Sequence, residues 1–220
     1  MNLTNLLGTI MAFLMLTTSK PQIAISTPSA PHILAEKEYS LTDRYSNQFV
    51  NDVFADNILL TLSYMNGQTK QGEKVDWNKI HQPNEYEFLL QPGKTFAFHD
   101  QVEDQYKGAL ALTTNAHFNS TEGFKSDGWL VGDGVCHLAS FMNVVAQQAG
   151  LRVDAPTRHD FAKIPDVSRE FGTAIYYMPG EKGVSSRQNL YVTNTTSKTI
   201  AFVFNHTTAN SLQIAVEQLD

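Results

Sequence analysis

The chain has 220 residues, 42% of them hydrophobic, and a formal net charge of −6 at pH 7, which suits one domain with a sizeable core plus tails. That charge, and the lack of any Lys/Arg run, argue against nucleic acid or an anionic membrane as the main partner. The single cysteine, Cys136, excludes an internal disulfide and any site built from several thiolates.

In chain order, the first feature is the apolar run from Leu6 to Leu16. Its length fits the core of a signal peptide better than a full membrane span. Residues 1–18 are therefore read as a signal peptide or membrane anchor, and the protein as exported or membrane-anchored. No Lys or Arg precedes the run, and no clear small-x-small cleavage site follows it. Residues 19–35, rich in Ser, Thr, Pro and Ala, read as a linker, with one folded domain at 36–220. From Leu41 to Met65 the spacing of Phe49, Val50, Val53, Phe54, Ile58, Leu59 and Leu62 predicts a helix. Thr42 or Asp43 would cap it and Asn66-Gly67 would end it. Residues 68–85 read as an exposed insertion.

Phe88–Leu90, Pro92-Gly93 and Thr95–Phe98 predict a hairpin, and a short strand is expected within 109–119. After Trp129-Leu130-Val131 comes Gly132-Asp133-Gly134-Val135-Cys136-His137. Behind it, Leu138, Phe141, Met142, Val145 and Ala149 share one helical face that Gly150 terminates. Strands are then expected at 151–153 and 172–178. A second hairpin is expected from Asn189–Thr193 and Thr199–Phe204, and a last strand at 212–216. The sum is an α+β fold: N-terminal helices followed by an antiparallel sheet, with a central Cys-bearing helix packed on it. The Asn-x-Thr triplets at Asn119, Asn194 and Asn205 are read as turn and strand residues, since they accept glycans only in a eukaryotic secretory path.

Cys136 falls in the first turn of its helix, where unpaired N–H groups and the helix dipole favour a thiolate. A lone cysteine is more commonly a small buried hydrophobe. The glycines on both sides of Asp133 allow a sharp turn and close approach to a ligand, so Gly132, Asp133, Gly134, His137 and Arg158 are candidate binding residues. Asp133 is preferred as an N-cap over a catalytic carboxylate. Arg158 either holds a substrate carboxylate or is solvated. No histidine pair has a familiar metal spacing, so no metal or cofactor is expected. His32, His81, His99, His117 and His206 are read as surface or satisfied core. Phe98, Trp129, Tyr176 and Tyr177 are read as core.

Three ordered blocks resemble the VanW-like family, bacterial cell-envelope proteins named for a vancomycin-resistance accessory protein. They are Leu90–Phe98, Gly132–Ser140 continuing to Ala149-Gly150-Leu151, and Asn189–Thr195. Arg158-His159 falls where the family places a histidine after an arginine-containing turn. Asp133, His137, Ala139 and Phe171 depart from the family pattern. A cysteine at a helix start followed by a histidine-bearing strand is also similar to transglutaminase-like and papain-like cores. By that analogy Cys136 is the nucleophile, His159 the base, Asp160 or Asp166 its orienting group, and the N–H groups of residues 135–137 an oxyanion site. His137 is a poor partner for Cys136, because adjacent helical side chains diverge by about 100°.

Two readings follow. One is an exported thiol enzyme acting on an amide bond of peptidoglycan or another envelope peptide. The other is a non-catalytic envelope module that binds cell wall or a partner, with a structural Cys136. Either implies a cell-wall peptide or glycan as partner, no nucleic acid, and membrane contact only through the N-terminal segment.

Overall fold

The computed structural model describes residues 31–207 and 210–219, so the apolar N-terminal run and all but the end of the expected linker lie outside them. Among the described residues two four-stranded sheets and four α-helices make up an α+β fold. In the first sheet, β1 (His32–Ser40) pairs with β8 (Ser211–Gln218), β8 with β7 (Ile200–His206), and β7 with β2 (Asn84–Leu90), all antiparallel. In the second, β3 (Thr95–Ala97) lies parallel to β4 (Leu110–Leu112) and antiparallel to β6 (Tyr191–Thr193), which pairs antiparallel with β5 (Arg152–Asp154). The helices are α1 (Gln48–Met65), α2 (Trp77–Ile80), α3 (Val135–Gln148) and α4 (Lys182–Ser185).

The order differs from helices followed by sheet, because among the described residues β1 precedes every helix and closes against the last strand. It begins at His32 rather than near Glu36, so residues 32–35 belong to the sheet and not to a linker. Charged Glu36, Lys37 and Glu38 hide the strand in the sequence, yet charge is what an edge strand uses to refuse further partners.

Neither expected hairpin forms. β2 and β3 fall in different sheets, as do β6 and β7. The two segments instead run alongside each other and turn the same corner together. Gly93 N–H donates to Asn194 O (2.9 Å) and Asn194 N–H to Lys94 O (3.0 Å). The fully buried Asn194 side chain donates to Leu90 O (2.7 Å) and Lys198 O (2.8 Å) and accepts from Thr196 N–H (2.9 Å). One amide thus replaces the ladder bonds that the corner interrupts.

Helix α1 starts at Gln48, capped by the Asn47 side chain that accepts from Phe49 N–H (3.0 Å), and not by Thr42 or Asp43. The stretch before it is wound by side chains: Ser40 Oγ takes the N–H of Thr42 and Asp43, and Asn51 Oδ1 those of Arg44 and Tyr45. Such local bonds compete with helix. The insertion at 68–85 is only partly exposed, since α2 buries Ile80.

Where α3 meets α1, Gly134 occupies the N-cap with φ +100°, and a Cβ there would lie 2.6 Å from Phe54 O of α1. The glycine turn therefore serves backbone contact between helices. Asn57 of α1, fully buried, holds the same turn: it donates to Lys125 O (3.0 Å) and Asp133 O (2.8 Å) and accepts from Lys125 N–H (2.8 Å). Gly134→Ala should cost about 2–4 kcal/mol through a forbidden φ and a backbone clash. Urea denaturation checks this, and a loss below ~1 kcal/mol would show that the two helices separate freely.

Candidate functional site

Three polar side chains of α3, Cys136, Ser140 and Asn143, recur at helical spacing and so share one face. Each binds the backbone of the segment 171–175. Asn143 donates to Phe171 O (3.0 Å) and to Thr173 Oγ1 (3.2 Å). Ser140 Oγ accepts Thr173 N–H (2.9 Å) and donates to Cys136 O (2.7 Å). Cys136 Sγ accepts from Ile175 N–H (3.3 Å) and donates to Ile175 O (3.6 Å). The strand expected at 172–178 is therefore an extended segment whose backbone is read by a helix face, with one isolated bridge, Arg158 to Thr173. Around that bridge His159 N–H donates to Gly172 O (3.1 Å) and Ala174 N–H to Thr157 O (3.0 Å).

These bonds close the neck of a loop, 159–172, around a cleft of about 650 Å³. His159 is buried at the neck, 5% exposed. Its Nδ1 faces Ala162 O at 3.1 Å and so carries the proton, which leaves Nε2 a lone-pair acceptor with no hydrogen bond among the described residues. Burial lowers its pKa. Ala162, Ile164 and Val167 give the cleft apolar walls, and Asp160, Lys163 and Arg169 a rim of both signs.

Beneath lies a buried polar cluster. Arg44, its side chain fully enclosed, donates from Nη2 to Pro165 O (2.8 Å) and to His137 Nδ1 (3.4 Å), and from Nη1 to Ser40 O (3.3 Å). It stands 3.6 Å from the Asp166 carboxylate and over the Phe141 ring. Because guanidinium only donates, His137 Nδ1 must accept, and its Nε2–H then points to Tyr45 Oη at 3.4 Å. Burial, the Arg44 charge and the neighbouring His159, 6.1 Å away between ring centroids, push the His137 pKa well down, so the ring is neutral. Arg44 and Tyr45 carry no sequence signal, since they sit in a stretch whose apolar spacing reads as helix.

The expected catalytic set does not assemble. No hydrogen bond joins Cys136 to His159 or to any imidazole among the described residues. Burial pushes the Cys136 thiol up to about 11, and Asp133 adds to the rise. Asp160 is an exposed partner of Arg169 (3.6 Å) and makes no bond to His159. The Val135 N–H is taken by Gly132 O (3.0 Å) and so is not available to an oxyanion. Asp133 is not the N-cap: its carboxylate accepts Asp127 N–H (3.0 Å), with a pKa raised to about 6 by burial and Asp127. Gly132, at φ +92°, packs against Phe118. Arg158 is exposed. Trp129 and Tyr176 are exposed as well, at 89% and 43%, and do not belong to the core. Among the described residues no group of three or more His, Cys, Asp or Glu converges on a metal position.

Compared with protein-family models, curated proteins and solved structures, the chain matches none. The VanW-like resemblance therefore rests on the three sequence blocks alone.

Two measurements test this site. Alkylation of Cys136 in the folded protein should stay slow at pH 7–8 and rise only toward pH 11; labelling at the rate of the urea-unfolded chain would refute a clasped thiol. His137 takes up its proton near 6.5 when unfolded but well below that when folded. The unfolded chain thus binds more protons in acid, and stability should fall as pH drops below 6.5. In His137→Gln, which keeps an acceptor and a donor, the slope between pH 6.5 and 5 should lessen by up to ~1.4 kcal/mol per pH unit. An unchanged slope would place the proton elsewhere.

Proposed function

We propose that this chain is a VanW-like envelope protein that works as a binding module, in which the cleft of residues 159–172 receives a cell-wall peptide and Cys136 is structural. The observation that carries this reading is the clasp of Cys136 Sγ on both the N–H and the C=O of Ile175. A sulfur so engaged, with its thiol raised to about 11, is a poor nucleophile near neutrality. What remains chemically open is the His159 Nε2 lone pair beside a cleft of mixed character. A peptide offers what that cleft can use: N–H donors for the imidazole, small side chains for the apolar walls, and charges for Lys163, Arg169 and Asp160. Among the described residues no helix is long and apolar enough to cross a membrane. This reading assigns attachment to the envelope to the Leu6–Leu16 run, on its sequence alone. The transglutaminase-like comparison is kept for the placement of a cysteine at a helix start, and not for its reaction.

Co-sedimentation with purified peptidoglycan, and titration with its soluble peptide fragments, test the proposal. Wild type and Cys136→Ser, whose hydroxyl can keep both Ile175 contacts, should bind alike. His159→Gln and Lys163→Glu should each weaken binding roughly tenfold, ~1.4 kcal/mol. Cleavage of the fragments by wild type but not by Cys136→Ser would restore the thiol-enzyme reading and overturn this one.

A further inference from the structure

Between Lys125 and Gly132 the chain forms a small hairpin, bridged at Ser126 and Val131 and closed by Gly132 N–H to Lys125 O (2.9 Å). Its base is rigid. Asn57 holds Lys125 and Asp133 from below, and Asp133 accepts Asp127 N–H. Its tip turns through Gly128, at φ +119°, with Gly128 N–H on Ser126 Oγ (3.0 Å) and Trp129 N–H on Asp127 Oδ1 (3.3 Å). Three consecutive large apolar side chains then stand in solvent: Trp129 at 89% exposure, Leu130 at 59% and Val131 at 46%. Tryptophan is ordinarily a largely buried residue. An exposed apolar tip of this kind gains nothing for the fold and marks a contact with something outside it.

We propose that this hairpin is a second membrane contact, dipping Trp129 and Leu130 into the interfacial layer of a neutral phospholipid bilayer. Indole suits that layer, with an apolar body and one N–H for the wet side. The sequence gives the bilayer a reason to be near: the apolar Leu6–Leu16 run is followed by about 15 residues before β1, a tether spanning at most ~50 Å. A domain of this size has a radius of gyration of only ~16 Å. The tether therefore lets any face reach the surface, and surface chemistry selects which face does. Asp127 in the hairpin turn and Asp133 at its foot, with the net charge of −6, make neutral headgroups the fitting ones. This inference rests on the envelope reading above.

The chain has two tryptophans, and Trp77 stands apart from the tip, beneath the Lys125 ammonium at 4.1 Å. The full chain is floated with phosphatidylcholine vesicles whose acyl chains carry bromine as a quencher. The expected result is a blue-shifted wild-type emission that loses a large part of its intensity. That loss should be missing from Trp129→Phe and reduced in Leu130→Asp, both changes at exposed positions that spare the fold. Flotation with equal emission from wild type and Trp129→Phe would overturn the proposal, leave a protein partner as the occupant of the tip, and spare the anchor. Failure to float at all would overturn both.

Discussion

The structure depends on a helix face that reads a backbone. Cys136, Ser140 and Asn143 give the segment 171–175 the partners that a neighbouring strand would otherwise supply. A buried segment without such partners would leave N–H and C=O groups unmade at ~1–3 kcal/mol each. Everything at the cleft hangs from this. Residues 171–175 fix residues 157–159 through Thr173, Gly172 and Ala174, that pairing buries His159, and His159 closes the neck of the 159–172 loop. Arg44 supports the far side through Pro165 and Asp166. The site is thus built on α3 at one end and on the winding before α1 at the other. That is why Gly134, which lets the two helices approach, matters to a cleft it does not line.

How much of this was legible in the sequence follows from the range of the interactions involved. Helix α1 from Phe49 onward, α3 with its Gly150 stop at φ +75°, and β4, β5 and β8 were legible because periodicity and turn residues are local signals. The two expected hairpins do not form, because a turn between apolar runs does not say which strands will pair. A buried Asn194, read as a turn residue, decides instead that both segments bend between sheets. Strand β1 is hidden by its charges, and the segment 172–178, apolar as a strand would be, forms none because its backbone partners are side chains of a helix.

At the site the difference is similar. The spacing of Cys136, Ser140 and Asn143 was available in the sequence as a polar stripe on an otherwise apolar helix. Only the position of the segment 171–175 gives it meaning. His159 could not be recognised as buried from its flanks, since Arg158 and Asp160 both point to solvent while the ring between them turns inward. Arg44 and Tyr45, which fix the His137 tautomer from some ninety positions away, leave no pattern at all.

The cysteine shows two local rules in conflict. A helix terminus stabilises an anion near it by about 0.3–1 kcal/mol. Moving the thiol from its ordinary 9.0 to about 11 corresponds to ~3 kcal/mol against the thiolate. Burial therefore outweighs the dipole, and its effect is reinforced by Asp133, whose carboxylate lies on the same turn. The Ile175 N–H does oppose this by donating to the sulfur, yet the clasp needs a proton as well, because Sγ also donates to Ile175 O. Ionisation would turn that donor into a second acceptor facing a carbonyl and would loosen the segment that positions His159. The sulfur's structural duty and a nucleophile's duty thus require opposite protonation states, and the packing around α3 selects the protonated one.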